Sequence, residues 1–348
     1  METTDQKRNV ILRRLGRNGP YIPALGLGLM GLSSFYGSPP PDEERFAFLD
    51  RAYELGCTHW DSAALYGDSE ELLGKWFQRT GKRDEIFLAT KFGNKVSSDG
   101  GREICNDPEY IRQSVAESLE RLHTDYIDLL YCHRFSGETP VEEIVATMKE
   151  FVDAGKVRYL GLSECGADTL ARACTIHPIT AYQIEYSPFS MDIEDPATNL
   201  LTTCRRLGIA TVAYSPLGRG MLTGRYASPS DFAPSDFRRS IPRFAPENFE
   251  RNLALVRVLE GLAARKGCTS GQLVLAWMMR QGGETVFPIP GTKRVGFLEE
   301  NWGAWRVRLT EEEDAVVRAA IERAEVHGQR VAEQLMGGLV RDTPPLRK

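Results

Sequence analysis

From residue 42 onward the chain alternates between two textures. Short runs rich in β-branched, aromatic and aliphatic residues read as buried strands: "THWDS" (58–62), "IFLATK" (86–91), "YIDLLYCH" (126–133), "VRYLGLS" (157–163), "TAYQIEY" (180–186), "IATVAYS" (209–215) and "TVFPIP" (285–290). Between them lie longer stretches with apolar residues at helical spacing. In "PVEEIVATMKEFVDAGK", Val141, Ile144, Val145, Met148, Phe151 and Val152 mark one face, and Gly155 supplies the stop. The same spacing predicts helices over 42–56, 68–80, 107–122, 166–176, 195–207 and 249–266. Asp68, followed by Glu71, reads as the capping box of the second of these. With "ALGLG" (24–28) as the first strand, eight strands alternate with helices. That is the pattern of a parallel sheet closed into a (β/α)8 TIM barrel, with an open doubly wound sheet as the structural alternative.

Three segments stand outside the repeat. Residues 10–24 contain "GRNGPYIP", a turn between two apolar runs, which predicts a β-hairpin capping the barrel floor. Residues 227–248 form a Pro- and Ser-rich loop after the seventh strand, longer than a simple connection. The tail from Val326, with Gly337-Gly338 and Pro344-Pro345, is expected near the barrel mouth. The expected organisation is therefore one domain over 1–348: hairpin 10–24, barrel 24–325 and tail 326–348.

Charge and cysteine usage narrow the setting. A net charge of -5 provides no basic field, so nucleic acid is not an expected partner. The seven cysteines are scattered with no C-x-x-C pair, which argues against a disulfide framework or a zinc site and fits a reducing cytosol. The start, "METTDQKRNV", lacks the apolar core of a signal peptide, and no apolar run approaches the roughly 18 residues of a membrane span. The expectation is a cytoplasmic protein without membrane contact. No heptad or exposed apolar stripe speaks to oligomeric state.

"GLGLMG" (26–31) spells the G-x-G-x-x-G fingerprint, but that motif needs a helix N-terminus directly after it to meet a pyrophosphate. Here Pro39-Pro40-Pro41 follow within the same loop, so the glycines are read as sites of close packing or close backbone approach near a ligand.

Active sites of closed barrels lie at the C-terminal ends of the strands. The second strand ends in Asp61 with Tyr66 just beyond, the third in Lys91 and the fourth in His133. Ser163 and Glu164 end the fifth, Gln183 to Glu185 the sixth, and Tyr214 and Ser215 the seventh. Taken singly, each of these is more simply a cap, a solvated cation, a packed ring or a structural histidine. Together, Asp, Tyr, Lys and His form a working set for carbonyl reduction. A phenol has a reference pKa of about 10, and a neighbouring ammonium stabilises its anion. Lys91 serves that purpose with Asp61 holding the ammonium, Tyr66 donates a proton to the carbonyl oxygen, and His133 orients that oxygen.

With these residues in place, the chain resembles the aldo-keto reductases from about residue 12 to residue 325, in a longer microbial and fungal branch. The motifs that carry the resemblance are "WDSAALYG", "LATKFG", "CHR", "GLSE", "QIEYS", "AYSPLGRG" and "IPGTKRVGFLEEN". The resemblance implies the catalytic tetrad Asp61, Tyr66, Lys91 and His133, and NADP(H) as cofactor. It implies a nicotinamide stacked on Tyr214, with Met30 and Asp61 near it and the carboxamide held by Ser163, Glu164 (often Asn in relatives) and Gln183. Ser215, Leu217, Gly218, Gly220 and Arg225 would line the pyrophosphate. Gly291, Lys293, Arg294, Phe297, Glu300 and Asn301 would form the adenosine site, with Lys293 and Arg294 meeting a 2′-phosphate. No metal is implied.

Candidate substrate-pocket residues are Phe35, Tyr36, Phe92, Arg134 and Phe135, which point to a small-molecule carbonyl or alcohol substrate of apolar character. The reading from a different class is an NADP-binding regulatory subunit resembling the potassium-channel beta subunits. A metal-dependent hydrolase would want closely spaced histidines, and a short-chain dehydrogenase a lysine four residues after the tyrosine, where Glu70 stands.

Overall fold

The computed structural model describes residues 3–5, 10–96, 101–332 and 339–346. Eight strands run parallel in chain order: β1 (Leu27–Gly28), β2 (His59–Asp61), β3 (Phe87–Phe92), β4 (Ile127–Cys132), β5 (Val157–Ser163), β6 (Ala181–Glu185), β7 (Ala210–Tyr214) and β8 (Val286–Pro288). The sheet closes on itself. Gly26 N–H donates to Pro288 O at 2.9 Å and Gly28 N–H to Pro290 O at 3.2 Å, and Gly28 bridges Gly291 in parallel. Close approach explains the first two glycines of "GLGLMG". A Cβ on Gly28 would lie 2.9 Å from Ile289 O, and one on Gly26 would lie 2.6 Å from His59 Nδ1. A four-residue helical turn, Met30–Ser33, begins within the last two residues of that motif, but the first long helix waits until Asp42–Glu54.

Each strand sorts its side chains by the period of two. Ala89, Leu129, Tyr131, Ala181, Ala210, Val212 and Phe287 face inward and pack as a cluster of their own, closed from below by Leu15 and Ile22 of the floor hairpin. The alternate residues, such as Trp60, Leu88, Leu130, Leu160, Tyr182 and Val286, pack outward in the larger cluster beneath the helices. Register then aligns the polar strand ends: Asp61 pairs with Gly28 and Ala89, Lys91 with Tyr131, Ser163 with Gln183, and Glu185 with Tyr214. The inward parity that fills the core with Ala89 therefore carries Lys91 into the barrel one layer higher.

The hairpin forms from Val10–Arg14 and Tyr21–Pro23, with a further strand, Thr3–Asp5, antiparallel to its first arm. The predicted helices form within a few residues of their expected bounds, except that 195–207 is helical only over Leu200–Leu207, with a 3-10 turn, Asp192–Glu194, before it. Helices Ser270–Glu284, Val295–Trp302 and Glu311–Arg323 and a small hairpin, Asn94–Val96 with Arg102–Ile104, add to the pattern read from sequence. The loop over 227–248 is packed, with three 3-10 turns and buried Phe232, Ile241 and Phe244.

The capping box expected at Asp68 does not form. Asp68 makes no side-chain cap bond, because both its oxygens accept from the buried Arg45 guanidinium at 2.8 Å. The described parts of the tail, 326–332 and 339–346, pack at the barrel mouth. Arg243 N–H donates to Gln329 O, Arg341 N–H to Glu164 O, and Asp342 Oδ1 accepts from Gly166 N–H and Thr169 Oγ1. Gly337 and Gly338 lie outside the described residues. No helix among the described residues is long and apolar enough to cross a membrane.

Candidate active site

At the C-terminal end of the barrel the strand-end groups converge. Lys91 Nζ donates to Asp61 Oδ1 at 2.5 Å and to Ser62 O at 2.6 Å, and Gln183 Nε2 donates to Asp61 Oδ2 at 2.8 Å. Lys91 is 1% and Asp61 2% exposed. Burial alone pushes the Lys91 ammonium down, but Asp61 and Tyr66 outweigh it and hold the group above its ordinary value. Lys91 is therefore charged, and its ammonium lies 5.0 Å from the centre of the Tyr66 ring.

Tyr66 sits on the loop after β2, half-buried, held by its N–H to Ala63 O at 3.0 Å. Its ring meets His133 edge-on, centroids 5.9 Å apart at 86°. His133 is fixed by its N–H to Phe92 O at 2.8 Å. Burial, with Arg134 and Lys91 adding repulsion, drives its imidazole well below the usual histidine range, so the ring is neutral. Nδ1 of that ring is buried without a protein partner. The four residues read from sequence as a tetrad are thus neighbours: an ion pair below, a phenol above the ammonium, and a neutral imidazole beside the phenol.

One wall of the mouth is charged. Tyr214 donates its hydroxyl to Glu164 Oε1 at 2.6 Å, and Arg134 bonds His133 O, Ser163 Oγ and the Tyr214 hydroxyl at 2.6, 3.1 and 3.5 Å. Arg330 of the tail donates to both oxygens of Glu164 at 2.8 Å and to the Tyr214 hydroxyl at 3.1 Å. Burial disfavours the Glu164 carboxylate, yet Arg330 and Arg134 hold it below the usual range. Sequence reasoning missed Arg330. The local signal was only that a buried glutamate requires a cation, and its partner lies 166 residues away.

Beyond Tyr214 the chain turns through left-handed backbone at Ser215, Gly218, Arg219 and Gly220. Leu217 (φ -99°) followed by Gly218 (φ 56°) is a right-then-left pair of the kind that turns successive N–H groups into an anion-binding concavity. Arg225 stacks over Phe297, 4.2 Å from the ring centre, and pairs with Glu300. Arg225, expected along the pyrophosphate, thus contacts two residues of the expected adenosine group. Lys293 Nζ bonds Tyr36 O at 2.7 Å, Arg294 and Gly291 are exposed, and Asn301 is buried. Met30 opens the short turn after β1, half-buried.

The candidate substrate residues divide. Phe35 and Tyr36 are half-buried and pack edge-on against Phe237 of the long loop, at 6.0 and 5.0 Å. Arg134 points across the mouth as described. Phe92 and Phe135 are each 1% exposed inside the main apolar cluster. Alternation on β3 sends Phe92 outward where Lys91 points in, so the structure gives both rings a packing role. Among the described residues no cluster of His, Cys, Asp and Glu is arranged to hold a metal.

Known proteins share this layout. The sequence profile of the aldo/keto reductase family matches residues 24–322. Aldo-keto reductase str7 of Strobilurus tenacellus is 53% identical over 339 residues, spanning 96% of this chain and 98% of that protein. Aldo-keto reductase yakc [NADP(+)] of Schizosaccharomyces pombe is 48% identical over 339 residues, spanning 97% and 98%. Among solved structures, the thermostable aldo-keto reductase Tm1743 with the inhibitor epalrestat superposes with a TM-score of 0.72 at 31% identity, covering 89% of this chain and 99% of that one. The glycerol dehydrogenase AKR11B4 of Gluconobacter oxydans gives a TM-score of 0.80 at 25% identity, covering 91% and 97%. With the closed barrel, a profile match over most of its length and a relative 53% identical over 96% of the chain, this chain belongs to the aldo/keto reductase family.

Proposed function

We propose that the protein reduces an aldehyde or ketone to an alcohol at the expense of NADPH, with Tyr66 as the proton donor. The observation that carries this reading is the buried Lys91 ammonium, locked to Asp61 at 2.5 Å and facing the Tyr66 ring at 5.0 Å. The features that fit the cofactor are the left-handed turn over 218–220 and the exposed Arg294 beside Lys293. The name of the yeast relative, which carries NADP(+), supports the same choice.

Ser163, Glu164, Gln183 and Tyr214 would hold the nicotinamide end, with Met30 and Asp61 near it. Ser215, Leu217, Gly218 and Gly220 would hold the pyrophosphate, and Gly291, Lys293, Arg294, Phe297, Glu300 and Asn301, joined by Arg225, the adenosine end. The cofactor supplies the hydride when bound. The chain's own groups manage the proton. Neutral His133 offers a hydrogen bond to the substrate oxygen without adding a charge. Tyr66 Oη gives its proton to that oxygen, and Lys91 stabilises the phenolate left behind. Asp61 keeps the ammonium charged, and Gln183 holds Asp61 in place. Phe35 and Tyr36 offer apolar surface to the substrate, and Arg134 sets the polar side of the pocket.

The test is NADPH oxidation with an activated aromatic aldehyde by the parent and by Tyr66→Phe. The variant is expected to lose roughly three orders of magnitude in kcat while binding NADPH within a few-fold of the parent. Equal turnover in both would rule out Tyr66 as the acid.

A further inference from the structure

The Glu164–Arg330 pair stands at the edge of the Tyr214 ring, and the mechanism above assigns it no step. Glu164 is 0% exposed and takes a left-handed backbone (φ 54°) at the end of β5, which aims its carboxylate into the mouth. Tyr214 Oη donates to Oε1 at 2.6 Å and Glu185 N–H to the same oxygen at 3.2 Å. Arg330 closes both oxygens in a two-pronged bond at 2.8 Å, its side chain only 11% exposed. Glu185 lies 3.4 Å from Arg330, and has Arg219 at 3.7 Å and Arg243 at 4.0 Å as cations of its own. The Tyr214 hydroxyl therefore meets one anion from the barrel, Glu164, and two cations, Arg330 from the tail and Arg134 from the loop after β4, of which only Arg330 forks onto the carboxylate.

This matters for a ligand whose charge changes during turnover. The oxidised nicotinamide ring carries a positive charge that the reduced ring lacks. An unpaired buried carboxylate at the ring's edge would hold the oxidised form more tightly, and an unpaired guanidinium would do the reverse. We infer that the Glu164–Arg330 pair sets the relative affinity of the site for NADP+ and NADPH, the tail arginine cancelling a charge that would otherwise retain the oxidised product. The inference rests on the reading of Tyr214 as the face that takes the nicotinamide. It makes Arg330 a positioning and charge-balancing residue, contributed by the tail rather than by a barrel strand.

The experiment is calorimetric titration of NADP+ and of NADPH, at pH 8 and without substrate, into the parent and four variants. The quantity read is Kd(NADP+)/Kd(NADPH). Arg330→Met is expected to lower the ratio and Glu164→Gln to raise it, each by about tenfold. The double variant Glu164→Gln/Arg330→Met leaves no unpaired charge from the pair and is expected to return to within about threefold of the parent. Arg330→Lys, which keeps the charge but loses the fork, should stay close to the parent ratio. Equal loss of both forms in the single variants, or shifts in the same direction, would mean the pair is only structural and would overturn the inference. Failure of either single variant to fold leaves the double variant and Arg330→Lys to decide it, since a ratio in either that departs tenfold from the parent also overturns it. If the parent itself binds neither form, the cofactor reading fails, which is a separate outcome from an unchanged ratio with both forms bound.

Discussion

Lys91 and Asp61 form an ion pair inside the barrel, Nζ to Oδ1 at 2.5 Å, with side chains 0% and 3% exposed. Taking two charges out of water is costly, and such a pair adds little net stability compared with an apolar pair of the same size. Its presence is accounted for by the role proposed for the ammonium, which is to stabilise the Tyr66 phenolate. The pair is also easy to break badly. Lys91→Met leaves Asp61 buried with only the Gln183 amide, and is expected to cost about 3–5 kcal/mol in urea unfolding together with roughly a thousandfold in kcat. Asp61→Asn/Lys91→Met should regain most of the stability and none of the activity. Equal stability of the single and double variants would show that Asp61 tolerates the loss of its cation.

His133 offers a second check, on charge. Burial first, then the proximity of Arg134 and Lys91, push its pKa well below the ordinary value, so the ring stays neutral through the range where an exposed histidine titrates. Nitrogen NMR of the side chain at pH 6 should report a neutral imidazole. The pH profile of kcat/KM should show no step of His133 near 6.5. His133→Asn keeps an uncharged donor and is expected to lose less activity than His133→Phe, by about tenfold. A protonated ring at pH 6 would contradict the assigned role.

Much of this was legible in the strands, because their buried faces repeat with a period of two and their polar ends stand out against apolar runs. Asp61, Lys91 and His133 are visible for that reason. Helix Ser270–Glu284 was not, since "LVLAWMM" is buried on every side and so presents no polar face for helical spacing to reveal. Helix Glu311–Arg323 escaped from the opposite cause, with only Val317 and Ile321 buried. Phe92 was misjudged because adjacency to Lys91 in sequence means opposite faces in a strand. Arg330 was beyond reach, as its bond to Glu164 joins residues 166 apart that only the folded barrel mouth brings together.

The misread cap at Asp68 is itself testable. An aspartate acting as an N-cap can be replaced by asparagine at little cost, because both offer an oxygen to the first turn. An aspartate acting as the partner of Arg45 cannot. Arg45 is 5% exposed and also bonds Ser33 Oγ at 3.1 Å, so it ties the loop after β1 to the segment that follows Tyr66. Asp68→Asn should therefore lose nearly as much stability as Asp68→Ala. The expected loss is about 1–2 kcal/mol, the lower part of the range for a charge-assisted fork because Asp68 is itself 46% exposed. Full stability in Asp68→Asn, measured by urea unfolding, would restore the capping role.

A buried histidine at the floor of the site predicts how the fold responds to acid. His59 is 0% exposed, its ring set edge-on against Phe87 at 5.7 Å and Phe287 at 6.4 Å. Burial lowers its pKa to about 4, against a partial pull upward from Asp61. In the unfolded chain the same group titrates near its ordinary value of about 6.5. Between these two values the unfolded state binds a proton that the native state refuses, so stability falls as pH drops through that window. From pH 7.5 to pH 5 the share due to His59 is about 2 kcal/mol. His133 acts in the same direction, so the diagnostic quantity is the difference in slope between the parent and His59→Leu. Urea unfolding at several pH values should give a shallower acid decline in the variant, whatever its stability at neutral pH. Parallel declines would mean that His59 accepts its proton inside the folded barrel, which would require a partner for the new charge next to Asp61.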